Sequence, residues 1–259
     1  IKSGYGLSAE EEIRLLKVIN QVDTSADVVT TCLAAHVKPR DFEGSSEEYL
    51  NELTKNLLPG IKNFTQRIDI FTEKSAFGIE ESTRYLQQAK DMGFKITVHA
   101  DQFTAGSAQM AIKLEALSAD HLEASTDEDI KILANSETVA VALPGASIGL
   151  GESFAPARKL LDAGACMAIA SDYNPGSAPM GDLLTQASIL AAYQKLSTAE
   201  VLAGLTFRAA EALDISTVGK ISSGFQADFQ AYACDDYREI LYHQGSLKPE
   251  VVWKKGEKI

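Results

Sequence analysis

Four residues stand where short apolar runs give way to polar chain: His36, His99, His121 and Asp172. His99 closes the run 95–98 (KITV) and opens VHADQ. Neutral imidazole is the commonest protein ligand for zinc, and a carboxylate is a suitable partner ligand. Asp172 follows the run 166–170 (CMAIA) within ASDYNPGS. A carboxylate there can bind a metal ion and take a proton from the water it activates. The same aspartate precedes Asn-Pro-Gly, a good turn sequence, so a capping role stands beside the chemical one. His121, in SADHLEA, can orient or polarise a water, or serve as a buried structural imidazole. Residues 174–177 (NPGS) offer an amide, backbone N–H groups and a hydroxyl, which suit a carboxylate or amide ligand or simply a tight loop. His99 and Asp172 alone fall short of the three protein ligands usual for catalytic zinc. No GxxxxGK[ST], no GxGxxG after a strand and no GxSxG is present, so neither a phosphate cradle nor a serine-hydrolase elbow is supported.

The elements that must position these groups alternate. Strand-like runs cover residues 26–35, 67–71, 95–98, 116–120, 138–143 and 166–170. Helical patterns cover 8–19, 78–92, 105–114 and 125–134. Ser8 followed by Glu11 predicts a capping box at the first helix. Strands alternating with helices of this length predict parallel βαβ units. In a parallel barrel the carboxyl ends of the strands form one face, and the four polar residues all follow strands. The last forty or so residues differ, with short β-like runs at 229–233 and 251–253, and predict a small β appendage.

Composition bounds the function. The chain has 259 residues, 45% hydrophobic and 23% charged, which is ordinary for a globular protein. A formal net charge of −12 is opposite in sign to a broad nucleic-acid footprint. The apolar runs are too short to span a bilayer. Cys32, Cys166 and Cys234 form no CxxC pair or disulfide framework, which suits a reducing cytoplasmic compartment. The chain opens on IKSGYGLS rather than on methionine, and reads as the C-terminal part of something longer.

Several separate stretches together resemble the imidazolonepropionase family of the amidohydrolase superfamily. They are residues 1–7 (IKSGYGL), 32–39 (CLAAHVKP), 98–102 (VHADQ), 117–123 (LSADHLE), 141–146 (VALPGA), 171–179 (SDYNPGSAP) and 219–229 (GKISSGFQADF). The resemblance implies an α/β fold, a (β/α)8 TIM-type barrel lacking its first strands. Residues 1–215 would form the barrel from about the end of strand three, and 216–259 a small β segment. It implies hydrolysis of 4-imidazolone-5-propanoate to N-formimidoyl-L-glutamate with one divalent ion, zinc or iron. His99 and Asp172 match metal ligands after strands five and eight. Asp172 would serve as base and then acid, with His121, after strand six, stabilising the reacting oxygen. Tyr5, His36, Gln102 and Ser177 match substrate contacts, and Asn174 and Gly176 match contacts to the ring-opened product. Some members carry glutamate where Gln102 stands. The family's HxH pair lies upstream of KSGYG and is not in this sequence. The implied partners are a small-molecule substrate and a second copy of the chain in a homodimer, with no nucleic acid and no membrane. Two other readings remain. One is a dihydroorotase- or hydantoinase-like enzyme, which would need a lysine after strand four, where His36 is expected. The other is a non-catalytic remnant that binds a small acid.

Overall fold

The structure, a computed structural model, describes all residues 1–259. Its elements run in this order. Helix α1 (Ala9–Gln21) leads to β1 (Cys32–Ala35), then α2 (Ser46–Glu52), a π-helical turn (Leu53–Leu57) and α3 (Leu58–Ile61). Next come β2 (Arg67–Ile70), α4 (Ile79–Asp91), β3 (Lys95–Ala100), α5 (Ser107–Lys113), β4 (Ser118–His121) and α6 (Asp127–Ala134). Strand β5 (Val139–Ala142), α7 (Pro144–Leu150), α8 (Ala157–Ala163) and β6 (Met167–Ile169) follow. The chain ends with α9 (Leu183–Gln194), α10 (Thr198–Leu205), α11 (Phe207–Ala212), β7 (Phe229–Ala231), α12 (Glu239–Tyr242), β8 (Val251–Lys254) and β9 (Glu257–Lys258).

Two compact units divide the chain, one holding residues 1–120 and 124–129, the other 121–123 and 130–259. In the first unit the sheet order follows chain order from β1 to β4. Strands β1 and β2 pair in parallel, as do β2 and β3. Every residue of β1, β2 and β4 is buried, as parallel strands covered on both faces require. The strand expected over 26–35 is shorter, because 26–31 joins the sheet only through a parallel bridge between Lys2 and Thr31. Helix α1 is capped by Ser8, whose hydroxyl accepts from Glu11 N–H at 3.2 Å. The expected reciprocal bond from Glu11 does not form, because Arg14 Nε donates to the Glu11 carboxylate at 2.7 Å. The wall behind the strands is built from Leu16, Leu57, Ile61, Tyr85 and Leu86, all fully buried.

In the second unit β5 and β6 pair in parallel, and Val139, Val141 and Leu143 pack with Ala146 and Ala168. A separate antiparallel sheet orders β7, β8 and β9, with Phe229 stacked on Trp253 at 4.6 Å between ring centroids.

Six strand–helix units are present where about five were expected. With His99 on strand five of the family pattern, β2 is strand four and β1 is strand three. His36 therefore follows the third strand, and Phe71-Thr72-Glu73 follows the fourth. The expectation that His36 occupies the strand-four position is corrected accordingly.

Candidate active site

Backbone conformation marks the ends of three strands. Asp101, directly after β3, has φ +50°. His121, closing β4, has +86° and Leu122 after it +73°. Asp172, beyond β6, has +49°. Aspartate and histidine visit this region more readily than most residues, but leucine does so rarely. Each such residue costs on the order of 1–3 kcal/mol, and persists only where the surrounding structure holds it. Both proposed chemical residues of the second unit, His121 and Asp172, are thus held in unusual conformations.

In the first unit, His99 is buried, and its Nδ1 lies 3.1 Å from Asp69 Oδ1. Asp69 is fully buried in the middle of β2. Its second oxygen accepts from Lys2 Nζ at 2.6 Å, and the same ammonium donates to Asp120 Oδ2 at 2.5 Å. Ser118 Oγ donates to Asp120 Oδ1 at 2.6 Å. Burial disfavours ionisation of Asp69, but His99 and Lys2 beside it hold its carboxyl well below the usual range. Burial likewise opposes the charge on Lys2, and Asp120 and Asp69 outweigh it, raising the amine above the ordinary lysine value. An ionised carboxylate facing Nδ1 makes that nitrogen the donor, so in the neutral ring the lone pair is on Nε2.

Rings extend from this imidazole. Phe71 lies 6.1 Å from His99 and 5.9 Å from His36, and Tyr5 meets His36 edge-on at 5.4 Å. The structure so brings together Tyr5, His36 and His99 from separate segments. Two buried glutamates hold the adjoining loops. Glu12 of α1 accepts from Gly4 N–H at 3.1 Å and Gly6 N–H at 2.6 Å, on either side of Tyr5. Glu73 accepts from Phe103 and Thr104 N–H, both at 3.0 Å, directly after Gln102. Asp101 accepts from Ser107, Ala108 and Ser125, so the Gln102 loop is tied at both ends.

In the second unit, His121 Nδ1 lies 3.6 Å from Glu123 Oε2, and Ser147 Oγ donates to Glu123 Oε1 at 3.1 Å. Asn174 braces the loop after β6. Its amide donates to Asp172 O at 2.6 Å, Asp172 Oδ2 at 3.1 Å and Ser177 Oγ at 3.1 Å. Its Oδ1 accepts from Gly176 and Ser177 N–H, both at 2.8 Å. The loop lies hard against α7. A Cβ on Gly145 would meet Ser171 O at 2.5 Å, and one on Gly149 would meet Ser177 O at 1.7 Å. Only glycine admits that approach.

Sequence reading missed Lys2, Asp69, Asp120, Phe71, Glu12 and Glu73. The available signal was Asp69, a charged residue at the centre of the apolar run RIDIF.

The amidohydrolase family model matches residues 30–259. An imidazolonepropionase of Bacillus cytotoxicus is 40% identical over 98% of this chain and 62% of its own length. One of Fusobacterium nucleatum is 39% identical over 99% of this chain and 63% of its own. The chain thus spans less than two thirds of these relatives. Among solved structures, a 5-methylcytosine deaminase from Klebsiella pneumoniae liganded with phosphonocytosine has a TM-score of 0.76 at 15% identity. It covers all of this chain and 69% of that one. A zinc-bound adenosine deaminase from Xanthomonas campestris has a TM-score of 0.70 at 18% identity, covering 99% and 64%. These structural likenesses bear on fold alone. No helix is long and apolar enough to cross a membrane.

Proposed function

Because the chain belongs to the amidohydrolase family, we propose that it takes part in hydrolysing 4-imidazolone-5-propanoate to N-formimidoyl-L-glutamate, as an imidazolonepropionase with one divalent ion, zinc or iron. The observation that carries this reading is His99, buried at the end of β3 with Nδ1 fixed by an ionised carboxylate. That is the pairing a metal-ligating histidine needs. In the family pattern His99 would hold the ion through Nε2 and Asp172 through its carboxylate, together with the HxH pair that is not in this sequence. When bound, the ion supplies Lewis-acid activation of water and of the ring carbonyl.

The chain's own residues do the rest. Asp172 takes a proton from the attacking water. Oxygen bonds to the ring carbonyl carbon, and His121 stabilises the charge that develops on the carbonyl oxygen. The ring C–N bond then breaks, and Asp172 returns the proton to the departing nitrogen. Tyr5, His36 and Gln102 contact the imidazolone. Ser177 contacts the substrate as well, and Asn174 and Gly176 contact the ring-opened product, while the Asn174 amide keeps its hold on Asp172. Three free cysteines suit a reducing, cytoplasmic setting.

The test follows loss of the imidazolone chromophore with metal-loaded protein. His121→Ala and Asp172→Asn should each lower kcat by about 10²–10³-fold. Tyr5→Phe should raise KM more than it lowers kcat, because a hydroxyl that binds ground and transition states alike changes KM. Near-normal turnover by His121→Ala or Asp172→Asn rejects that residue's role, and wild-type KM for Tyr5→Phe rejects the contact.

A further inference from the structure

Asp69, His99 and Asp120 come from three successive strands, and their ligand atoms all lie within 4.8 Å of one another. Taken alone, such a group resembles a second cation site. Lys2 excludes that reading, because its ammonium sits 2.6 Å from Asp69 and 2.5 Å from Asp120, where a shared cation would lie.

We propose that Lys2 is a positioning residue for His99, a resident cation that acts through Asp69. The argument is geometric. Asp69 uses both oxygens: Oδ2 accepts from Lys2 Nζ, while Oδ1 faces His99 Nδ1 and also accepts from Ile70 N–H at 2.7 Å. Lys2 on Oδ2 adds to the Ile70 N–H on Oδ1, and the two together hold the carboxylate so that Oδ1 stays aligned with the imidazole. Asp120 fixes the ammonium from the other side and is itself fixed by Ser118. The chain Ser118–Asp120–Lys2–Asp69–His99 therefore sets the tautomer and orientation of the ring. Removing Lys2 leaves two buried carboxylates facing each other with no cation between them, which favours rotation of Asp69 away from His99. A neutral methionine of similar length keeps the packing and deletes the charge.

This inference rests on the proposal that His99 is a metal ligand, so the experiment reads the metal and the ring rather than turnover. Zinc affinity of the whole protein is measured by competition with a chromophoric chelator for wild type, Lys2→Met, Lys2→Arg, Asp69→Asn and Lys2→Met/Asp69→Asn. Thermal melts accompany each variant, and ¹⁵N spectra of the histidine rings report the tautomer. Lys2→Met and Asp69→Asn should each weaken zinc by about 10–100-fold, the usual effect of losing an outer-shell partner. The double variant should be no weaker than Asp69→Asn, since both act along one path. Lys2→Arg, which keeps the charge, should recover part of the loss. The His99 signal of metal-free protein should report Nδ1–H in wild type and a tautomer mixture in Lys2→Met. A Lys2→Met protein that melts cooperatively with wild-type zinc affinity and an unchanged His99 signal overturns the proposal. So do losses that multiply in the double variant. Should Lys2→Met not fold, Lys2→Arg with zinc affinity as weak as Asp69→Asn overturns it as well. Unchanged imidazolone hydrolysis beside shifted zinc affinity would count against the proposed reaction and leave the Lys2 assignment standing.

Discussion

Gly149 offers a case in which one methyl group should act against its usual sign. Within a helix, glycine to alanine ordinarily stabilises by about 0.5–1 kcal/mol, through the entropy of the unfolded chain. Gly60 in α3 should behave that way, because its added Cβ would meet Ile13 Cδ1 at 3.6 Å, an ordinary contact. At Gly149 the same atom would lie 1.7 Å from Ser177 O, where real Cβ atoms do not come within 3.0 Å. The gap must open by about 1.3 Å, and overpacking of this kind costs about 1–3 kcal/mol. The obstacle is a backbone carbonyl in the loop braced by Asn174, so no flexible side chain can absorb the shift. Gly149→Ala should therefore lose about 1–2 kcal/mol net, and the movement should reach Asp172 through Asn174. A misplacement of about 1 Å at a reacting group costs about 10²-fold in rate. Thermal melts of Gly60→Ala and Gly149→Ala should move in opposite directions, by about 2–4 °C per kcal/mol. Amide exchange at Gly176 and Ser177 should quicken only in Gly149→Ala, along with loss of the proposed imidazolone hydrolysis. A Gly149→Ala protein that melts higher than wild type, with protected Gly176 and Ser177 amides, would refute the reasoning.

Glu12→Ala should leave the N–H groups of Gly4 and Gly6 without their acceptor, destabilise by about 1–3 kcal/mol and raise KM through the loosened Tyr5 loop; an unchanged KM in a folded variant would separate that loop from substrate binding. The Arg158 guanidinium, with Ser197, holds Glu200 at about 2, against an ordinary value of 4.5. Its stabilisation is thus complete above about 4.5 and fades as pH falls toward 2, by less than about 1 kcal/mol because the pair is partly solvated. Acid titration of stability in wild type and Glu200→Gln should diverge above that window and converge below it, and parallel curves would count against the pair.

Much of the scaffold was legible because it depends on local pattern. The runs KITV and TVAVAL carry their strands in their apolar residues, and His99 and Asp172 stand out as candidates because they follow such runs. The boundary of β1 was not legible, since pairing at 26–31 depends on what stands beside it, and only Thr31 meets a partner. Nor was the capping box at Ser8, where Arg14 competes for Glu11. The charged network was hidden for another reason. Lys2 lies 67 residues from Asp69 and 118 from Asp120, so no window along the chain contains the pair that neutralises either acid. Asn174 reads from sequence as a ligand-facing amide, and its use as a loop brace follows only from the path of residues 172–177.

The ion pairs of Lys2 also bear on the order in which this chain can reach its native state. Closing loops of 67 and 118 residues costs conformational entropy that nearby contacts do not, although each doubling of length adds only about 0.6 kcal/mol. Helix α4 needs only local contacts, and β2 pairs with β3 across a shorter span than either ion pair, Arg67 to Lys95, so both can form before Lys2 docks. As β2 and β4 take their places, however, Asp69 and Asp120 come together in a drying interior, and their repulsion grows until an ammonium arrives. Arrival of the segment around Lys2 is therefore the event that relieves it. Docking of Lys2 serves as a latch on sheet assembly, favourable only when both carboxylates are already in position, and it couples that segment to the cooperativity of the whole unit.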